Sequence, residues 1–248
     1  LGDVYKRQAK CYGGDITRKK KLLEKQKETN HYQIQSLPIN SGVFCLKKDR
    51  FQDVVWIGTD GQGVYLYSNP LYSIKSMVLS NYTEKLERPV RAIYLDDERT
   101  FWVGTKGNGI LKIYDYEFDK NISGCRAEVL TTSNSALSSN AVYCFAKSHR
   151  NLLWIGDEEG LTYYSYREKR IKSIPIRIGN EDFKYIHDIY ETADSELWLA
   201  SVGMGVVKAR IAGTPDNPVI VDAQRYIIND GELGSNYFFT IYAENEAN

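Results

Sequence analysis

The sequence lacks several features that would each have pointed to a class of protein. Its 248 residues contain no run of about 18 apolar residues, so no segment is predicted to cross a membrane as a helix. Lysine plus arginine and aspartate plus glutamate number 32 each, which gives a formal net charge of zero. A general nucleic-acid-binding protein needs an excess of cations to neutralise phosphates, so this balance argues against that class.

Cysteine and histidine are scarce and poorly spaced for metal binding. The sequence has four cysteines: Cys11, Cys45, Cys125 and Cys144. None lies in a C-x-x-C pair, so we expect buried free thiols rather than a zinc or thioredoxin-type site. The three histidines are scattered along the chain: His31, His149 and His187. This spacing predicts no metal site, supports no Ser-His-Asp triad and gives no reason to expect a cofactor.

What the sequence does have is a repeat that contains all four of its tryptophans. The copies read VVWIGTDGQGVYLY at Trp56, TFWVGTKGNGILKI at Trp102, LLWIGDEEGLTYYS at Trp154 and ELWLASVGMGVVKA at Trp198. The steps from one tryptophan to the next are 46, 52 and 44 residues. A repeat of this length, rich in β-branched residues and tyrosine, indicates a repeated β-sheet unit.

Strand-like runs flank every copy. The runs before the tryptophans are GVFCLKK, PVRAIYL, AVYCFAK and YIHDIYE, and those after the glycine turn end in SIKSMVL, RAEVLTT, IKSIPIR and VIVDAQRYI. Ten or eleven residues ahead of each tryptophan, one shared position is occupied in turn by Cys45, Ala92, Cys144 and Asp188. Four short strands in about 45 residues are typical of a β-propeller blade. We therefore predict an all-β fold with about four four-stranded blades that bury their faces against one another.

The two ends of the sequence continue this pattern only in part. The run NYFFTIYAENEAN resembles the first strand of a fifth blade, with Thr240 at the position of Cys45. We expect residues 33–248 to form propeller blades and residues 9–32 to be an irregular basic segment of an incomplete blade. The run DVYKRQ resembles the translation of a transposon end used in sequencing libraries, so residues 1–8 are interpreted as an assembly scar. On this interpretation the chain is an open arc of a larger propeller with partial blades at both ends.

The string WIGTDGQGVYLY, preceded by strands like AIYLDDERTFW, resembles the two-component regulator propeller repeat. The resemblance covers about residues 33–248. That family builds the extracytoplasmic sensor region of hybrid two-component system histidine kinases in glycan-degrading gut bacteria. Two copies depart from the pattern. The third turn, Asp157-Glu158-Glu159-Gly160, is one residue shorter, and the fourth copy has Ala200 where the others have Gly58, Gly104 and Gly156.

The resemblance implies a function for the chain. It implies a periplasmic propeller that recognises a glycan-derived oligosaccharide, is not itself an enzyme, and signals to a kinase outside this fragment. The expected partners are that oligosaccharide, the rest of the propeller and the kinase of the parent chain, and a second copy in a homodimer. Nucleic acid and membrane would be contacted only by other parts of the parent protein.

The glycines after each tryptophan could instead form a phosphate-binding loop. Such a loop opens a helix whose amides hold the phosphate, whereas β-type runs such as GVYLY and GILKIY follow here. We therefore interpret the repeated residues as structural, with glycines supplying positive φ in hairpin turns and tryptophans packing between blades. These repeated residues are Trp56, Trp102, Trp154, Trp198, Gly58, Gly104 and Gly156.

Two acidic runs raise the possibility of glycoside hydrolysis. LDDE spans residues 95–98 and DEE spans residues 157–159, and paired carboxylates could serve as acid and nucleophile. Both runs lie in short turn segments, where solvated acids are the usual finding. The turns before the tryptophans, SELW and ERTFW, also lack the glycine of a sialidase-type turn. Hydrolysis is therefore not favoured.

What remains is a binding surface made by the segments that enter each first strand. These segments offer the candidate ligand-binding residues Arg88, Arg91, Asn140, Tyr143, Tyr185, His187, Asn236 and Tyr237. Planar rings suit the C–H faces of sugars, and arginine and asparagine supply fixed donors for hydroxyls. Residues that differ between the turns could add specificity: Asp60, Lys106, Glu158 and Val202.

Two other functions stay open at this point. A streptogramin-lyase-like propeller enzyme would bring a catalytic histidine and glutamate together at the central channel. A protein-binding propeller scaffold would show a long hydrophobic patch on its rim.

Overall fold

The computed structural model describes residues 37–68, 73–79, 88–114, 123–231 and 233–243. The chain divides into two compact units, Leu1–Ile39 and Asn40–Asn248. Only residues 37–39 of the first unit are described, so the predicted scar (residues 1–8), the basic segment (residues 9–32) and the first residues of the predicted blades (33–36) lie outside the described residues. All strands described below belong to the second unit.

Four antiparallel sheets follow one another along the second unit, and we number them as blades 1 to 4. Blade 1 contains β1 (Val43–Lys48), β2 (Val54–Thr59), β3 (Val64–Ser68) and β4 (Ser73–Ser76). A short strand, β5 (Val78–Leu79), precedes blade 2, which contains β6 (Val90–Leu95), β7 (Phe101–Thr105), β8 (Ile110–Tyr114) and β9 (Ser123–Leu130). β5 joins the edge of blade 2 by pairing in parallel with β9.

Blades 3 and 4 repeat the same order of pairing. Blade 3 contains β10 (Val142–Lys147), β11 (Leu152–Asp157), β12 (Leu161–Ser165) and β13 (Arg170–Ser173). A small hairpin of β14 (Arg177–Ile178) and β15 (Glu181–Asp182) leads to blade 4, which contains β16 (Ile186–Glu191), β17 (Glu196–Ser201), β18 (Gly205–Thr214) and β19 (Asn217–Tyr226), followed by a 3-10 turn at Ile228–Asp230. The prediction of an all-β fold with four four-stranded blades is confirmed.

The core of this unit lies between the blades. Three clusters of buried apolar residues join blade 1 to 2, blade 2 to 3 and blade 3 to 4. Trp56 contacts the ring of Phe101 in blade 2 at 4.4 Å, and Trp102 contacts Tyr164 in blade 3 at 4.8 Å between ring centroids. Trp154 is likewise fully buried among residues of blades 3 and 4. These three tryptophans therefore each bury a large apolar surface that one sheet alone could not cover. Trp198 of blade 4 is only partly buried and stacks on Tyr226 of its own blade.

The small residue after each tryptophan serves close packing rather than the turn. Gly58 lies within β2, and a Cβ there would approach the Cys45 sulfur to 2.5 Å and Val90 Cγ1 of blade 2 to 2.7 Å. Positive φ angles occur instead at Gly61 (77°) and Gly63 (76°) in the following turn. The expectation that these glycines shape the turn therefore holds for Gly61 and Gly63. It is wrong for Gly58 and for its counterparts Gly104 and Gly156, which lie within strands and let neighbouring blades pack closely.

The segment predicted to start a fifth blade follows the path of a first strand without forming one. Tyr237 makes a single bridge to Val202, and none of the described residues from 238 to 243 lies in a strand. The Thr240 hydroxyl nevertheless donates to Asp188 Oδ2 at 2.9 Å. Thr240 therefore lies next to Asp188, the residue at the same aligned position in blade 4, as the repeat predicts. A first strand is held by pairing with a second strand, and no described residue beyond 237 supplies that partner.

Candidate functional site

Every first strand carries a β-bulge at the same place. The register between first and second strands shifts between Val43 and Cys45 in blade 1, and at the equivalent residues of the other three blades. One extra residue is left unpaired at each shift: Phe44, Arg91, Tyr143 and His187. Bulges re-aim a side chain and are frequent beside functional sites, so the fold presents four unlike side chains from one repeated backbone position.

The bulged residues of neighbouring blades contact one another. The Arg91 guanidinium lies 3.8 Å from the centroid of the Phe44 ring. Tyr143 and His187 stack with their centroids 4.2 Å apart and their planes 16° apart. Phe239, at the equivalent place before Thr240, meets His187 edge to face at 5.3 Å. We call this row the bulge stripe: Phe44, Arg91, Tyr143, His187 and Phe239.

The electrostatics of the bulge stripe keep its rings neutral. Burial lowers the pKa of His187 to about 4, helped by the nearby positive charges of Arg91 and Lys106, so the imidazole is uncharged at neutral pH. Burial also raises the pKa of the Tyr143 phenol, with the negative charge of Glu158 acting in the same direction. The cation of the stripe is Arg91, whose Nε is buried and has no hydrogen-bond partner among the described residues.

The stripe therefore combines three kinds of group on one surface. Tyr143, His187 and Phe239 supply flat rings, the phenol and imidazole supply neutral donors or acceptors, and Arg91 supplies a guanidinium held against Phe44. Flat rings pack against the C–H faces of a ligand, and a fixed guanidinium recognises oxygen acceptors.

Two of the sequence candidates serve as connectors between blades instead. The carbonyl of Asn140 accepts the N–H groups of Gly107 and Gly109, both at 2.9 Å, from the middle turn of blade 2. Its side-chain Oδ1 accepts the N–H of Thr132 at 2.9 Å. Asn236 makes the same kind of contacts with the middle turn of blade 4. An asparagine before a first strand therefore joins that segment to the middle turn of the preceding blade.

Three other candidates border the bulge stripe without touching it. Arg88 is exposed and its side chain runs past Gly107, 3.5 Å from where a Cβ would lie. Tyr185 is 42% exposed and Tyr237 is 66% exposed. Among the described residues, no hydrogen bond or ring contact joins any of these three to the stripe. They are available to the outer part of a ligand.

The sequence analysis missed two members of the stripe, Phe44 and Phe239. A signal for them was present, because each directly precedes a residue of the aligned position that contains Cys45 and Thr240. The residues that directly precede this aligned position in the five copies are the members of the stripe, in chain order. The candidates Arg91, Tyr143 and His187 were already among those proposed.

The two acidic runs lie at different ends of their blades. Asp96 precedes β7 and accepts hydrogen bonds from the N–H of Thr100 (2.7 Å), Trp102 Nε1 (2.9 Å) and the Tyr166 hydroxyl (3.1 Å). Asp157 ends β11, with Oδ1 accepting the N–H groups of its own shortened turn and Oδ2 the Ser138 hydroxyl at 2.6 Å. A five- or six-residue strand spans roughly 17–20 Å, so these carboxyls do not converge on one substrate.

Two cysteine thiols of the described residues lie in the sheets. Cys45 and Cys144 are free thiols, and burial raises the pKa of Cys45 to about 12 and that of Cys144 well above its usual value. Neither is a thiolate at neutral pH. In the ranges that the structure describes, no cluster of histidine, cysteine and carboxylate side chains could hold a metal ion. The same ranges contain no helix long and apolar enough to cross a membrane.

Comparisons with known proteins identify the fold. The extracellular domain of a protein described as a hybrid two-component system of B. thetaiotaomicron matches with a TM-score of 0.60 and 24% identity, over 83% of this chain and 25% of that one. PorZ, a surface component of the type-IX secretion system of Porphyromonas gingivalis, also gives a TM-score of 0.60, with 13% identity over 84% of this chain and 31% of its own. U3-55K gives 0.51 at 10% identity, over 74% of this chain and 53% of its own.

Sequence comparisons add little to this. No family profile matches the chain. A curated protein, elongation factor 4 of Syntrophomonas wolfei, is 54% identical over 52 residues, which is 21% of this chain and 8% of that protein. So short a match assigns no function. The described blades have a β-propeller fold that is shared with the extracellular domain of a hybrid two-component system, which is the architecture implied by the resemblance of the repeats.

Proposed function

We propose that this chain is part of a periplasmic sensor propeller that binds a glycan-derived oligosaccharide and signals to a kinase elsewhere in the parent protein. The observation that carries the proposal is the bulge stripe. Four successive first strands use the same bulge to turn a different side chain onto one surface. A repeat that only had to pack its blades would have no need for unlike residues at this position.

The composition of the stripe favours carbohydrate over other small ligands. Tyr143 and His187 lie parallel and half-buried, and Phe239 is 65% exposed beside them. Such rings offer apolar faces with little side-chain entropy to lose on binding. The neutral phenol and imidazole can donate to and accept from hydroxyl groups. Sugars present this combination of C–H faces and hydroxyls.

The fold likeness supports the location and the signalling role. The matched structure of B. thetaiotaomicron is an extracellular domain of a hybrid two-component system, and this chain spans 25% of it. That likeness and the repeat strings are what support an extracytoplasmic position for this chain in the proposal. The kinase and any membrane segment would belong to other parts of the protein.

The two alternative functions receive less support. A lyase-like site would need a glutamate at His187, but in the described residues the imidazole contacts rings and no carboxylate hydrogen-bonds to it. A scaffold would need a continuous apolar rim. On β19 the exposed apolar side chains Val219 (48%) and Val221 (53%) alternate with the inward Ile220, which makes a small patch on one edge strand.

Calorimetric titration with a broad panel of oligosaccharides tests the proposal on the protein with its natural flanking sequence. We expect at least one member to bind, and Tyr143→Ala to weaken it about tenfold or more because a stacking ring and a hydroxyl are lost. Tyr114→Ala is the matched control, since Tyr114 is also partly exposed but lies at the end of β8. Absence of binding by every oligosaccharide, or equal effects of both variants, would contradict the proposal.

A further inference from the structure

The middle turn and the entry segment of blade 2 gather positive charge beside the bulge stripe. Arg91 lies in the stripe, and Lys106 is exposed in the turn after β7. The Lys106 backbone bridges to Ala141 at the start of blade 3, which fixes the turn next to Tyr143. Both cations act on His187, whose pKa they lower further than burial alone.

These two cations have no counter-ion in the described part of the chain. No ion pair there includes Arg91 or Lys106, whereas many other surface cations are paired, for example Arg167 with Asp216 at 2.7 Å. One face of the Arg91 guanidinium is covered by Phe44, and its buried Nε has no acceptor. A half-buried cation without an acceptor is costly in the free protein and favours a ligand that brings a negative group.

Two acidic residues lie along the stripe rather than beyond it. Glu158 acts on Tyr143, and Asp188 is already occupied by hydrogen bonds from the Thr240 hydroxyl and the Ile241 N–H. The unpaired cations Arg91 and Lys106 therefore lie beside Phe44 and Tyr143, and the row continues from Tyr143 to Phe239 as rings. A ligand with a negative group at one end and a plain sugar face at the other would match this direction.

We propose that the bulge stripe selects oligosaccharides that carry a carboxylate or sulfate, with Arg91 and Lys106 holding that group and Tyr143, His187 and Phe239 packing on the sugar. This inference rests on the proposed carbohydrate-binding function and names its substrate class. A carboxylate has a planar pair of oxygens, and a sulfate ester has three terminal oxygens on a tetrahedral sulfur. Each group can present two of its oxygens as acceptors to a guanidinium.

Matched pairs of sugars test this selectivity on the same protein used for the panel. Trigalacturonate is compared with neutral α-1,4-galactotriose, and neocarrabiose 4-O-sulfate with neocarrabiose, by calorimetry at low and high salt. We expect a charged member to bind about tenfold or more tightly than its neutral counterpart, and its advantage to shrink as salt rises.

Variants assign the effect to the two cations. Arg91→Gln and Lys106→Gln should each weaken the charged member about tenfold and leave the neutral one almost unchanged. Lys106 is exposed in a turn, so its variant keeps the test valid even if Arg91→Gln lowers the melting temperature. Arg126→Gln is the control, because Arg126 is exposed on β9, three strands away from β6 in the same sheet.

The outcomes separate this inference from the function on which it rests. If neutral sugars bind as tightly as their charged counterparts, or if both cation variants weaken the two members alike, the selectivity is overturned while carbohydrate binding stands. If no sugar of either kind binds, both are overturned. A charged member that loses affinity with Lys106→Gln and not with Arg126→Gln supports the inference.

Discussion

The two ends of each blade use one repeated backbone in opposite ways. At the hairpin between first and second strands, Asp49 accepts Trp56 Nε1 and Asp96 accepts Trp102 Nε1, both at 2.9 Å. At the other end, the bulge presents phenylalanine, arginine, tyrosine and histidine in turn. At the hairpin end an aspartate holds the tryptophan in blades 1 and 2, whereas at the bulge end each of the four blades has a different side chain. The comparison teaches that this repeat keeps its packing residues similar while the bulge residue varies freely, which is why our proposal places ligand binding at the bulge end.

The hairpin end also shows how a lost residue is replaced. Blade 3 has Ser148 where blades 1 and 2 have an aspartate. Trp154 Nε1 donates instead to Glu191 of blade 4 at 2.6 Å, and this carboxylate also accepts the His149 N–H at 3.3 Å. A buried indole N–H needs an acceptor, so the partner has moved to the neighbouring blade while the tryptophan stays.

The largest expected effect is on the side chains that join blades. Trp102→Ala should lower the free energy of unfolding by about 3–5 kcal/mol, because the fully buried ring leaves a cavity between blades 2 and 3. Denaturant unfolding followed by circular dichroism measures the change. Trp198→Ala is the comparison, since Trp198 is only half-buried in the described structure and should cost less. An equal loss of unfolding free energy in both variants would contradict the idea that Trp102 stabilises the protein through its burial between two blades.

The next effect tests the hairpin end by itself. Asp96→Ala should cost at least about 2 kcal/mol, because Trp102 Nε1 and the Tyr166 hydroxyl each lose an acceptor in a buried place. The same denaturant titration applies, and ligand binding should be unchanged in the folded variant. Asp97→Ala, next to it, loses only exposed ion pairs with Arg50 and Lys147 and should cost less than about 1 kcal/mol. If the folded Asp96 variant binds ligand poorly, the hairpin end also affects ligand binding, and the division of roles between the two ends is wrong.

The third effect depends on pH and concerns the buried carboxyl at the turn end. Burial raises the pKa of Asp157 from 3.8 to about 6, so the folded protein binds an extra proton between these values. Stability from this group is present below pH 3.8 and is lost as the pH rises through about 6. Asp157→Asn should therefore gain stability relative to the wild type across that window. Asparagine can still accept the turn N–H groups through Oδ1.

Melting temperatures of the two proteins between pH 4 and pH 7 measure this difference. His187, with a pKa lowered to about 4, changes stability in the opposite direction, but it is present in both proteins and cancels. A constant difference between wild type and variant over the whole range would mean that the Asp157 carboxyl keeps an ordinary pKa in the folded state.

Part of the site could be predicted from the sequence and part could not. Arg91, Tyr143 and His187 were found because they enter first strands at the end where propellers meet ligands. Asn140 was also chosen, but its carbonyl and side chain bind backbone N–H groups of blade 2 and the segment after it, which no single copy reveals. The role of Gly58 was misjudged because its neighbour Val90 belongs to the next copy.

The sequence by itself determined the blades, because period, tryptophan position and alternating strand runs are local and recur in four copies. Pairing of adjacent strands follows from such patterns without knowledge of the rest of the chain. Only the tertiary structure decided that Phe44, Arg91, Tyr143 and His187 lie in one row. Their bulges are set by hydrogen-bond register, and their contacts join residues about 45 positions apart that only stacked blades bring together.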